Sequence, residues 1–255
     1  MGLPDEQIHP IATGRAVQTV EQHQESQDLV FYSGWFCPYV QRVWITLEER
    51  GIPYQYKEVN PYKKEPHFLA INPKGLVPAI EYTGRALYES LIICEFLEDA
   101  FPDHEPHILP SDPFDRALVR LWTDHVSKQI VPGFMRLVQA QDSQKQREYL
   151  EEFNKALRTI SAQVKGPYFL GEQFTLVDVA LAPWVVRDYI VAEHRGYSRE
   201  AVGNGWKEYA VQLETRESVL RTQSDRVYYT EIYGRYLRDE AQSEAAKAIR
   251  AGRSF

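Results

Sequence analysis

The chain has only two cysteines and two methionines in 255 residues. So few cysteines exclude a disulfide-built scaffold, and no Cys or His spacing matches a metal cage. No apolar run reaches the length that a bilayer-spanning helix needs. Basic residues form no cluster and the formal net charge is −7, so the positive field that holds nucleic acid is missing. The first residues, Met1-Gly2-Leu3-Pro4-Asp5-Glu6, show no signal-peptide pattern, and Glu6 stands where myristoylation wants Ser or Thr. The expectation is a cytoplasmic protein with no metal, no membrane and no nucleic-acid partner.

The length suffices for two domains, each with its own core, and 44% of the residues are apolar. Tyrosine is abundant at 16, beside 5 tryptophans, which supplies aromatic surface for helix seams or for stacking on planar ligands. The residue that points to chemistry is Cys37, in Phe36-Cys37-Pro38-Tyr39-Val40, between a strand-like run (29–33) and a helical pattern (40–50). A thiol at a helix start lies among unpaired backbone N–H groups at the positive end of the dipole, which favours the thiolate. A dithiol oxidoreductase would carry a second cysteine where Val40 stands. Cys94, inside an apolar helical stretch (91–97), reads as a packing residue. A monothiol must borrow its second thiol from solution, and in a cytosol the abundant one is glutathione.

Residues 1–27 are polar and Gln-rich without a sustained period, and read as an extension lying over the surface or partly disordered. Residues 28–101 run strand, helix, strand, then short helix, strand, hairpin, strand and helix, a small α/β domain in which Pro78 must sit at an edge or a break. Ser90 has the character of an N-cap before the last helix. Pro102, Pro106, Pro110 and Pro113 mark 102–113 as a linker. Residues 114–255 read as all-helical, with helices expected over 116–130, 136–141, 144–164, 176–193, 205–214 and 225–251. Thr175-Leu176-Val177-Asp178 has the form of a capping box. The fold class is therefore α/β followed by all-α.

Cys37-Pro38-Tyr39, Asn72-Pro73-Lys74-Gly75-Leu76-Val77-Pro78, Tyr88-Glu89-Ser90, the proline-rich linker and Thr175-x-x-Asp178 occur in an order and spacing that resemble the cytosolic glutathione transferases. The likeness is strongest to the omega class and runs from about residue 29 to 237. It implies a thioredoxin-like N-terminal domain, a helical-bundle C-terminal domain, glutathione as cosubstrate and a homodimer. It also implies a cis Val77–Pro78 bond that turns Val77 toward the cysteinyl unit of glutathione. Glu89 is expected to take the γ-glutamyl ammonium, Ser90 and the helix start the neighbouring carboxylate, and Lys64 the glycyl end. Cys37 would attack a glutathionylated substrate and leave a Cys37–glutathione disulfide for a second glutathione to resolve. Mixed disulfides, glutathionyl adducts or dehydroascorbate are the substrates so implied.

The second substrate, a hydrophobic or disulfide-bearing small molecule, is expected against the helical domain. Arg187, Tyr229 and Tyr236 are the candidates there, with Trp122 and Trp184 beside them. Tyr39-Val40 departs from the Phe or Trp followed by Ala that omega-like members often carry, which bears on the polarity near the thiol. Two other functions fit parts of the sequence. One is a non-catalytic binding protein for hydrophobic aromatic ligands. The other is a glutathione-conjugating transferase that uses Tyr32 or Ser33.

Overall fold

Alternation builds the first strand: Leu29, Phe31 and Ser33 of β1 (Leu29–Ser33) are buried on one side, while Val30 and Tyr32 turn to the other. A computed structural model describes residues 8–63 and 65–253 of the chain. In it β1 pairs in parallel with β2 (Gln55–Glu58) and antiparallel with β3 (Ala79–Tyr82), and β3 pairs with β4 (Arg85–Tyr88), in the order β2-β1-β3-β4. The parallel pair requires a crossover, supplied by α2 (Pro38–Arg50), which Gly51 ends in a left-handed conformation at φ 58°. Thr83 and Gly84, both at positive φ, make the two-residue turn between β3 and β4. This sheet with its helices is the thioredoxin-like part of the molecule. Val40, Val43, Trp44, Phe31, Ile80, Ile93, Cys94 and Leu97 form its core, with α4 (Ser90–Ala100) packed on α2.

Among the described residues, contact density divides the chain into two units: residues 8–108 with 216–228, and residues 109–215 with 229–253. The first unit holds two segments that the sequence did not place there. In the stretch read as a surface extension, whose first seven residues lie outside the described ones, Gly14–Gln22 form helix α1. It buries only Ala16 and Thr19, a narrow seam on a short helix whose remaining face is polar enough to read as surface. Its Thr13 and Thr19 bond the 221–225 segment: Asp225 N–H donates to Thr13 Oγ1 (3.0 Å) and Thr19 Oγ1 to Arg221 O (2.7 Å).

The second such segment carries the short helix α12 (Glu217–Arg221) and was expected to belong with the helical domain. Acid on α2 draws it into the first unit. Glu49 accepts from Ser218 Oγ (2.6 Å) and from the Arg216 guanidinium, and Arg221 pairs with the buried Glu48 (2.9 Å).

The second unit is helical: α5 (Pro113–His125), α6 (Val131–Gln139), α7 (Ser143–Ser161), α8 (Leu176–Val185), α9 (Asp188–Arg195), α10 (Arg199–Val202), α11 (Asn204–Thr215), the greater part of α13 (Arg226–Leu237), and α14 (Glu244–Arg250). A π-helical turn, Val126–Ile130, joins α5 to α6, and α3 (Pro66–Ile71) lies in the first unit. Two helices expected as continuous are broken. The pattern over 176–193 divides after Val185: Val186 caps the end of α8 and Arg187, at φ −111°, is the N-cap of α9. The pattern over 225–251 divides at Asp239, whose φ of 57° takes the chain out of the helix before the Ser243 hydroxyl caps α14 from Ala246 N–H (3.0 Å).

At the head of α8 the capping box is present, and Asp178 does more than cap. It is fully buried. Its carboxylate accepts from Thr175 N–H (2.7 Å), Thr175 Oγ1 (2.7 Å), Phe169 N–H (2.9 Å) and Tyr209 Oη of α11 (2.7 Å).

Candidate functional site

Strand register sets one end of the sheet. Tyr32 pairs with Ala79 and Ala79 with Tyr88, so the exit of β1, the entry of β3 and the exit of β4 lie side by side. Strands are about 4.8 Å apart, which gathers the segments following β1, preceding β3 and following β4 along one rim. Cys37, Val77-Pro78 and Glu89-Ser90 are the residues that those three segments bring there.

Cys37 is the N-cap of α2, with Pro38 as the first helical residue, and its N–H donates to Gly34 O (2.9 Å) across a tight turn. It is half-buried. Its Sγ lies 3.8 Å from the Val77 carbonyl oxygen, and the Val77–Pro78 bond is cis. The turn is held from below: Trp35 N–H donates to Glu58 Oε1 (3.1 Å), and its indole N–H donates to His9 O (2.8 Å). Gly34 lets the turn pass close to the loop before β3, since a Cβ there would press on the Val77 side chain at 3.2 Å.

Arg42, one turn and a half further along α2, is almost fully buried, with its guanidinium 5.4 Å from the Tyr39 ring. Burial pulls this cation down to about 10, and ionised Tyr39, Cys94 and Cys37 each act to raise it. Charge coupling is reciprocal, so a cation steadied by a Cys37 thiolate steadies that thiolate in turn. Cys94 is different. It is wholly buried, accepts from Thr46 Oγ1 (3.3 Å), and burial pushes its thiol up to about 12, which keeps it protonated and inert.

The second half of the rim corrects one expectation. Glu89, not Ser90, is the N-cap of α4, and it adopts φ 79°, a conformation uncommon for a residue with a side chain. Ser90 is the first helical residue and is buried. Glu89 Oε1 pairs with Lys74 Nζ at 2.7 Å. Lys64 lies outside the described residues. Arg187, Tyr229 and Tyr236 belong to the second unit. There the Arg187 guanidinium sits 4.4 Å over the Tyr229 ring and donates to Pro183 O (2.6 Å), and both residues are fully buried. Tyr236 is apart from that pair and donates to Ser243 Oγ (2.8 Å). Ser33 is fully buried on β1, and Tyr32 lies against Phe68 (5.8 Å between ring centroids), its phenol pushed up by burial and by Glu81.

Arg42, Lys74 and Glu58 belong to this rim and went unnoticed in the sequence. An arginine within an amphipathic helix and a lysine and glutamate beside turns read as solvated charges.

The sequence matches the glutathione S-transferase N-terminal domain over residues 36–100 and the glutathione S-transferase C-terminal domain over residues 140–209. A probable glutathione S-transferase, parC of Nicotiana tabacum, is 30% identical over 202 residues, which is 78% of this chain and 91% of that protein. The chain belongs to the glutathione S-transferase family. Within that family it is omega-like and of the cysteine type. The crystal structure of glutathione transferase Omega 3C from Trametes versicolor is 73% identical and superposes with a TM-score of 0.87, covering 91% of this chain and 100% of that one. Rice GST1, solved in complex with glutathione, is 28% identical with a TM-score of 0.77, over 85% of this chain and 100% of that one.

On this rim of the transferase Val77 lies just before β3, outside the ladder, and Glu89 sets an acid at the start of α4.

Proposed function

We propose that this transferase works through Cys37 as the sole sulfur nucleophile of a glutathione-dependent thiol transfer, with Val77, Pro78, Glu89 and Ser90 holding the tripeptide. The observation that carries the reading is the placement of one thiol at the N-cap of α2, 3.8 Å from the Val77 carbonyl, with valine where a resolving cysteine would be. The Cys37 thiolate attacks the glutathione-side sulfur of a mixed disulfide. The old S–S bond breaks as the Cys37–glutathione bond forms, and the released thiolate takes a proton from solvent. The thiolate of a second glutathione then attacks the bound glutathione sulfur, which yields oxidised glutathione and restores Cys37. The net change is that the mixed disulfide and one glutathione thiol become the free substrate thiol and oxidised glutathione, and the protein ends unchanged. Conjugation through Tyr32 or Ser33 is disfavoured, because Ser33 is buried and Tyr32 is held against ionisation.

Lys64 is assigned to the glycyl carboxylate, and Arg187, Tyr229 and Tyr236 to the second substrate. Arg187 and Tyr229 would act there as a packed pair that sets the wall. A cytoplasmic location agrees with two cysteines kept as thiols. Among the described residues, no helix is long and apolar enough to cross a membrane. Large apolar side chains left exposed on α4 (Ile92) and α5 (Phe114, Leu121) support a homodimer. The test is Cys37→Ser, assayed for reduction of a glutathionylated peptide. The variant is expected to lose the activity, and reduction at the parental rate would remove Cys37 from the reaction.

A further inference from the structure

Asn72 is buried and folds the loop before β3 around itself. Its side-chain amide donates to Leu76 O (2.7 Å), its Oδ1 accepts from Lys74 N–H (3.1 Å), and its carbonyl accepts from Gly75 N–H (2.8 Å). The Lys74 backbone is thereby fixed while its side chain stands in solvent. From there Nζ reaches Glu89 Oε1 at 2.7 Å and passes 5.3 Å from the centroid of the Tyr88 ring. Two segments thus meet at the rim, the loop that carries Val77-Pro78 and the head of α4, and each contributes one charge of opposite sign. More than half of each side chain is exposed, so the pair contributes little to folding. As a recognition element it is well formed.

We propose that Lys74 is a specificity-determining residue of the glutathione site. With Glu89 it makes an opposed charge pair that receives the α-amino-acid head of the γ-glutamyl unit, Glu89 taking the ammonium and Lys74 sharing the carboxylate with the start of α4. This rests on the reading of the rim as the glutathione site. The chemistry is specific to a γ-linked peptide: only there do an ammonium and a carboxylate stand on one carbon at the peptide's head. An ordinary α-linked peptide has spent that carboxylate on its first amide and offers the ammonium alone. A carboxylate accepts at two oxygens and an ammonium donates three hydrogens, so neither partner must release the other when the zwitterion docks.

The test is calorimetric titration of the full chain and of Lys74→Met with glutathione and with γ-aminobutyryl-Cys-Gly, which keeps the chain but lacks the α-carboxylate. Lys74→Met is expected to weaken glutathione about 5- to 10-fold, the scale of one charge-assisted contact. It is expected to leave the truncated ligand within about 2-fold of its parental value, and Lys74→Arg should restore the discrimination. Equal weakening of both ligands, or of neither, overturns the assignment of Lys74. Failure of the parental protein to bind glutathione at all overturns the glutathione site itself, and the assignment with it. The side chain is exposed, and an unchanged melting temperature confirms that the variant is folded.

Discussion

Cys37 shares its helix with a cation that cannot leave. Arg42 is buried on the same helix and coupled to Cys37, Cys94 and Tyr39, whereas a surface lysine would be screened by solvent and salt. Arg42→Met keeps the volume and removes the charge. It should slow alkylation of Cys37 by iodoacetamide at pH 7 about 3- to 10-fold, as the thiolate fraction falls, and an unchanged rate would show that the helix start alone activates the sulfur. Cys94 gives a prediction of opposite kind. Burial holds it at about 12 in the folded chain, against about 8.5 when unfolded. A group raised by folding contributes its full stability below the unfolded value and loses it as pH climbs toward the folded one. Between pH 7 and pH 10 the parental protein should therefore lose about 1.5–2 kcal/mol that Cys94→Ala does not lose. Urea unfolding at the two pH values measures the difference, and parallel losses in both proteins would contradict it.

Among the elements, α8 is anchored through a single acid. Asp178 joins the loop at Phe169, the cap at Thr175 and Tyr209 of α11 in one buried carboxylate. Asp178→Ala leaves those donors buried without an acceptor and should cost about 3–5 kcal/mol; a loss under 1 kcal/mol in urea unfolding would show that water replaces the carboxylate. Half of this anchor was legible: Thr-x-x-Asp announces a cap, but nothing local tells that Tyr209, 31 residues on, donates to the same acid. The strands and α4 were legible for a similar reason, since alternation and an apolar period are local signals. The helix α1 was not, because its amphipathic period spans only nine residues within a polar, Gln-rich stretch. Nor was the placement of α12 on α2, which depends on Glu48 and Glu49 meeting Arg221 and Arg216 from far along the chain. At the rim, Cys37, Val77 and Glu89 were singled out through their motifs, and the sheet register gathers their segments along one edge. Lys74 and Arg42 were missed because their roles come from what folding places beside them.

For the whole molecule, the charge of −7 and the exposed Ile92, Phe114 and Leu121 act at a larger scale than any site. Light scattering after gel filtration is expected to give about twice the chain mass of 29.6 kDa. Charged replacements at Phe114 and Leu121 together should shift the protein toward the monomer, and an unchanged mass would place the contact elsewhere. The chemistry is tested most directly by intact mass after incubation with oxidised glutathione, followed by peptide mapping. The account predicts one added glutathionyl group, about 305 Da by disulfide exchange, on the peptide carrying Cys37, with Cys94 unmodified until the chain is unfolded. A protein that gains no mass, or gains it at Cys94 while Cys37 stays a thiol, would contradict the account.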